Sequence, residues 1–271
     1  MACATTEQVH RPNYDERHSD IKVISYNIWY DYENEWESRK LVIEDFLKNS
    51  KADIIGLQEV KSAVEEYFLE ENRPMQWLVE EFDDYILIGD SYFNPILVKR
   101  DRFEVVESGL FWHSETPELS RSNHWGAIMP RNSVWAILDD SFSGKKILIV
   151  NSHLDPKRNV RNRSVDLIVS RIPADIPAIL TGDFNALPGS QSISKLWEKG
   201  FRDATKGLSG TFRLFSDSSS AFALWRLDYV FTRGFTPIRA YVNEVEEDGL
   251  FGSDHHPVTA IVRPGYPPIF R

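Results

Sequence analysis

Four short stretches of the 271-residue chain share one pattern: an apolar run stops at side chains able to hold a cation, bind an oxyanion or move a proton. In Ile176–Pro188 the run breaks at Gly182, Asp183 and Asn185. Gly182 allows a turn or a close approach, and two carbonyl-bearing side chains two residues apart share a face wherever the chain stays extended. Such groups are either bonded within a turn, where Asp and Asn are common, or committed to a metal or substrate. Ile21–Ile28 repeats the pattern and carries Asn27, and Ala52–Val60 delivers Gln58 and Glu59. Glu59 reads as a ligand or as the acid that opens a helix. Lys145–Asp155 ends at His153 and Asp155, again on one face, where His153 is either a satisfied core residue or a catalytic one.

Two further stretches add charge. Gly252–Val262 reverses the order, with Ser253, Asp254, His255 and His256 ahead of an apolar strand. Trp225–Phe231 reads as one strand with Arg226 and Asp228 on one face and Leu227 and Tyr229 on the other. A buried Arg and Asp need partners. Serine-triad chemistry has no support, because Ser253, Asp254 and His255 are contiguous and no Gly-x-Ser-x-Gly elbow occurs. Cys3, the one cysteine, lies in a polar leader, which excludes disulfides and thiolate metal sites.

The elements that must position these residues follow from periodicity. Val42, Ile43, Phe46 and Leu47 recur at helical spacing and predict an amphipathic helix over about Trp36–Asn49. A helical stretch interrupted by Pro74 is expected between Lys61 and Phe82. Tyr85–Ile88 and Asn94–Val98 predict paired strands, with Asn94 at a turn. Phe111–Arg131 is polar, aromatic and irregular, the character of a functional surface loop. Lys157, Arg158, Arg161 and Arg163 form a positive patch that either screens a phosphate or is a solvated helix face. Ile193, Leu196 and Trp197 mark a short helix, and a loop from Leu208 runs to near Ala221.

Composition sets the limits. With 42% hydrophobic residues the chain can bury a sizeable core, and one domain over residues 21–271 is expected after a polar, loosely held leader over residues 1–20. A net charge of −10 argues against a broad basic nucleic-acid surface without excluding a local groove. Neither a signal peptide nor a transmembrane run is read in the sequence, so a cytoplasmic monomer is expected.

Taken together and in order, Ser25-Tyr26-Asn27, Leu57-Gln58-Glu59-Val60, Asn151-Ser152-His153-Leu154-Asp155, Gly182-Asp183-Phe184-Asn185, Arg226-Leu227-Asp228-Tyr229 and Ser253-Asp254-His255 resemble the motifs of the endonuclease/exonuclease/phosphatase superfamily. The resemblance spans about Ile21–Val262 and implies an α+β, DNase-I-like fold, a four-layer αββα sandwich with two packed mixed sheets flanked by helices. It also implies a metal-dependent phosphoester hydrolase. Glu59, with Asn27 and Asp254 close by, would hold Mg²⁺ or Mn²⁺, in keeping with oxygen ligands and no thiolates. Asp183 would orient or deprotonate water, and Asn185 would hold a phosphoryl or water oxygen. His255, paired with Asp228, and His153 would face the phosphate. Asn94, Trp112 and Arg226 are the expected substrate contacts.

The superfamily acts on nucleic acids, dinucleotide caps, inositol phosphates, sphingomyelin and phosphotyrosyl-DNA adducts, so a small-molecule phosphoester and a nucleic-acid end both remain open as substrates. A binding module without activity, using Trp112, Trp125 and Trp225 for stacking, is the reading from another class. Intact Glu59, Asp183 and His255 argue against it.

Overall fold

Strands form where β-branched residues fill both faces, and helices where one stripe is apolar. A computed structural model describes residues 19–29, 35–60, 73–89, 93–213 and 223–265. In chain order the elements are β1 (Ile21–Asn27), α1 (Trp36–Ser50), β2 (Ile54–Gln58), α2 (Arg73–Glu81), β3 (Tyr85–Ile88), β4 (Ile96–Lys99) and β5 (Phe103–Trp112). Next come β6 (Asn132–Asp140), β7 (Lys145–His153), α3 (Arg158–Ser170), β8 (Ala178–Asp183), α4 (Gln191–Glu198) and β9 (Arg202–Asp203). The chain continues with β10 (Phe212–Arg213), β11 (Ala223–Trp225), β12 (Asp228–Arg233), β13 (Phe235–Val242), β14 (Glu246–Glu247), β15 (Leu250–Phe251) and β16 (Val258–Pro264).

Two six-stranded mixed sheets result, one in the order β13-β16-β1-β2-β4-β3 and the other β5-β6-β7-β8-β12-β9. Each contains one parallel pair, β1 with β2 and β7 with β8, among antiparallel neighbours. The alternation of side chains sorts the core into three layers. Ile21, Val23, Ile54, Ile147, Ile149, Ile179 and Val230 meet between the sheets. Ile24, Tyr26, Ile55 and Leu57 pack with Ile43, Leu47, Trp77 and Leu78 of α1 and α2. Leu148, Val150, Leu180, Tyr229 and Phe231 pack with Val165, Ile168, Ile193 and Leu196 of α3 and α4. The fold is the αββα sandwich.

Strand parity carries the sequence pattern into space. On the inter-sheet face, Ile21 and Val23 are followed by Ser25 and Asn27, Ile54 by Gly56 and Gln58, Ile147 and Ile149 by Asn151 and His153, and Ile179 by Thr181 and Asp183. The apolar interior therefore turns polar towards one rim. Register places Asn27 beside Gln58, His153 beside Asp183, and Asp183 beside Asp228.

Some expectations change. Pro74 lies in the first turn of α2, where its missing N–H costs nothing, and the part of the expected helical stretch over residues 61–72 lies outside the described residues. The expected strand Trp225–Phe231 is two pieces: β11 ends at Trp225 and β12 starts at Asp228, because Leu227 and Asp228 donate their N–H groups to the Thr211 hydroxyl. Phe111 and Trp112 end β5, so the loop begins at His113. The leader and Cys3 fall outside the described residues apart from Ser19 and Asp20, and Asp20 pairs with Arg263.

Candidate active site

At the polar rim the two sheets present Asn27 and Glu59 from one side and His153, Asp183, Asn185 and Asp228 from the other, with Asp254 and His255 ahead of β16. Asn27 joins the sheets: its Nδ2 donates to Glu59 Oε1 (2.9 Å) and Asp183 Oδ2 (3.2 Å). Its Oδ1 accepts from Trp29 N–H at 3.0 Å and keeps a second lone pair. Glu59 directly follows β2 with a left-handed φ of 63°, which carries it off the strand. Asn185 likewise sits at φ 47°, its N–H donating to Asp183 Oδ1 at 2.8 Å. The turn reading of this stretch is met by that bond. Asn185 Nδ2 also donates to Leu154 O (2.9 Å) and to His153 Nε2 (3.1 Å).

The two histidines are held in opposite charge states. Burial, with the nearby Arg131 and His255 charges, pushes His153 well below the usual imidazole range. A neutral ring accepting at Nε2 carries its proton on Nδ1, 3.8 Å from Glu59 Oε1. Burial also works against a charge on His255, but Asp228, and then Asp183 and Asp254, outweigh it and hold the ring well above the usual range. His255 Nδ1–H donates to Asp228 Oδ2 at 2.8 Å, and Nε2 lies 3.8 Å from Asp183 Oδ2. Thr211 Oγ1–H donates to the same Asp228 oxygen at 2.6 Å. Phe212 covers the His255 ring at 5.0 Å between centroids.

The carboxylates are crowded. Burial raises Asp183 to about 7, against the pull of His255 and with Asp228 and Glu59 adding to the rise. Burial and Glu59 raise Asp254 to about 6. A bound cation would relieve this excess of buried negative charge, and the available donors are hard carboxylate and amide oxygens. The residues present therefore fit a hard divalent ion. Asp183, Asp228 and His255 offer ligand atoms within 4.8 Å of one another. That trio is the poorer cage, because Asp228 Oδ2 already accepts two hydrogen bonds and His255 is charged. Asn27 is hydrogen-bonded to Glu59, and Glu59 lies near enough to Asp254 to raise its carboxyl.

Three expected substrate contacts are turned inward. Asn94 is 2% exposed and donates to Asn132. Trp112 is buried at the end of β5, its N–H bonded to Pro117 O. Arg226 is committed to Asp203 (2.8 Å) and Thr205 and lies over the Tyr229 ring, so its guanidinium is spent on holding the turn before β12. Two residues without an assigned role in the sequence do support the site. Thr211 holds Asp228, and Ser253 Oγ donates to Asn27 O at 2.7 Å while accepting from His255 N–H at 3.1 Å. The signal for Ser253 is its place directly before Asp254-His255; Thr211 is 17 residues from its partner and gives none.

Residues 24–255 match the Endonuclease/Exonuclease/phosphatase family. The chain belongs to that family. Among solved structures, a family protein from Bacteroides thetaiotaomicron is 28% identical, with a TM-score of 0.76 over 90% of this chain and 94% of its own. A mannosyl-6-phosphatase from the same species is 27% identical, with a TM-score of 0.74 over 89% of this chain and 99% of its own. The TDP2 of D. rerio, complexed with single strand DNA product, is 20% identical, with a TM-score of 0.70 over 90% of this chain and 99% of its own; at that identity the likeness shows the fold alone. Among curated protein sequences none matches.

Proposed function

We propose that this chain is a Mg²⁺- or Mn²⁺-dependent hydrolase of small phosphoesters. The observation that carries the reading is the opposed pair Asp183 and His255: a carboxyl raised to about 7 faces an imidazole held charged by Asp228. Glu59, with Asn27 and Asp254, would hold the metal, which when bound neutralises phosphoryl oxygens. Asp183 orients the attacking water and takes its proton, a role suited to a carboxyl of near-neutral pKa. As the water oxygen bonds to phosphorus the ester P–O bond breaks, and the departing alkoxide leaves as the alcohol after taking a proton from solvent. The His255 Nε2–H donates to a phosphoryl oxygen as charge develops there, and Asp228 keeps that ring charged and oriented. Asn185 donates its amide to the same group or to the water, and neutral His153 fills the side towards Glu59.

The substrate class rests on charge and on likeness. A net charge of −10 does not gather a polyanion, and a relative at 27% identity is described as a mannosyl-6-phosphatase. The test is release of phosphate in Mg²⁺ from sugar phosphates, inositol phosphates and single-stranded DNA ends, each across a salt series. Turnover of a small ester with shallow salt dependence is the expected result. Cleavage of DNA alone, falling steeply with salt, would replace the small-ester reading with a nuclease.

A further inference from the structure

Beneath the acidic residues lies a fully buried amide whose bonds reach both sheets. Asn151 of β7 is 0% exposed. Its Oδ1 accepts from Gln58 Nε2 (2.7 Å) and Thr181 Oγ1 (3.0 Å), and its Nδ2 donates to Leu57 O (2.7 Å), Asn94 O and Pro95 O (both 3.1 Å). Both ends of the amide are satisfied without water. Gly56 makes room: a Cβ there would collide with the Thr181 hydroxyl and the Asn151 carboxamide.

The partners are not scattered. Gln58 directly precedes Glu59; Thr181 stands two residues before Asp183, and Asn151 two before His153, each pair on one face of its strand. One amide thus ties three strands one or two residues from three site residues. Between two sheets the apolar layer sets only an approximate spacing, whereas short directional bonds fix it. The gap so fixed is the one that Asn27 spans from Glu59 to Asp183.

We infer that Asn151 is a positioning residue which, through Gln58 and Thr181, sets the separation of Glu59 from Asp183 and with it the site's affinity for its cation. This rests on the proposed metal-dependent reading for its effect on turnover, but not for its effect on geometry.

Thr181 gives the cleanest test. Thr181→Val keeps the shape and removes the hydroxyl, and Thr181→Ser keeps the hydroxyl and removes a methyl group. For Mg²⁺ alone, titration calorimetry should show affinity about 10–100-fold weaker in Thr181→Val, the range seen when supporting hydrogen bonds to metal sites are lost, and near wild type in Thr181→Ser. In the folded protein kcat should follow the same split. Equal Mg²⁺ affinity in the two variants, or a larger loss in Thr181→Ser, would overturn the proposal in favour of plain packing. Crystal structures of both variants, which need neither Mg²⁺ nor substrate, separate the two ideas. A Thr181→Val structure in which Asn27 still bridges Glu59 and Asp183 overturns the positioning role. Wild-type protein that takes up no Mg²⁺ overturns the proposed function alone, and the positioning role then stands if the bridge is broken in Thr181→Val and kept in Thr181→Ser.

Discussion

His255 is charged because Asp228 is fixed, and Asp228 is fixed because Thr211 and the turn before β12 hold it. If that chain of support matters to turnover, Asp228→Asn keeps the shape and loses the charge. Its kcat should fall about 10–100-fold. Adding His255→Ala should cost little beyond His255→Ala alone, because the two act as a unit. Additive losses in that double-mutant cycle would show that they act independently. Glu59 lends itself to a simpler substitution. Glu59→Gln should weaken Mg²⁺ binding while leaving the unfolding transition in place, and unchanged Mg²⁺ affinity by calorimetry would remove Glu59 from the metal site. At this scale the sequence was legible where a polar side chain ends an apolar run, as at Asn27, Glu59, His153 and Asp183. It misled at Asn94, Trp112 and Arg226, because a polar or aromatic group near a loop looks the same whether it faces solvent or satisfies an interior partner.

The elements explain why so many polar groups meet at one rim. Each strand that delivers a site residue buries hydrophobic side chains of its outer face against a helix layer, which pins it there, while its inter-sheet face changes from Ile and Val to Ser, Thr, Asn and Gln. A one-residue slip would send Asp183 into the layer beneath α3 and α4 and bring Leu180 between the sheets, so burial on both faces enforces register. The parity was readable in advance, but the pairing of Asn151 with Gln58 and Thr181 was not, because strand order cannot be read from a single strand. Arg39 plays a similar part from α1: buried, it donates to Gly252 O (2.9 Å) and Ile28 O (3.3 Å) and so ties the end of β1 to the loop that carries Asp254. Close packing between the sheets makes Gly56→Ala a test of this layer. It should destabilise the protein by about 1–3 kcal/mol as overpacking does, seen as a lower denaturant midpoint at unchanged slope. An unchanged midpoint would show that the two sheets can part without cost.

At the scale of the whole molecule, the fold holds acidic groups that would not sit together in water, and stability records it. Asp183 and Asp254 bind protons more tightly folded than unfolded, being raised to about 7 and about 6, and His255 is raised as well. Stabilisation from such groups is complete below their unfolded values and is lost as pH rises through the folded ones. His153 and His113 have the opposite sign, since both are held neutral, His113 at about 3 by burial and Arg131, and their contribution is lost as pH falls below 6.5. Above 6.5 the acids and His255 decide the outcome. The metal-free Tm should therefore fall between pH 6.5 and about pH 8.5, and added Mg²⁺ should raise Tm more at the higher pH because it replaces the missing protons. A metal-free Tm that is flat or rising over this window would contradict the crowding of carboxylates described for the site.

The central claim is that these converging strand ends form a metal-dependent site for phosphoester hydrolysis. Its most direct measurement is phosphate release from a sugar phosphate by wild-type protein and by Asp183→Asn, each with Mg²⁺ and with EDTA. The account predicts turnover by the wild type in Mg²⁺, its loss in EDTA and recovery on adding Mg²⁺ back, and a fall of orders of magnitude in Asp183→Asn at unchanged fold. Release that persists in EDTA, or that Asp183→Asn retains in full, would contradict it.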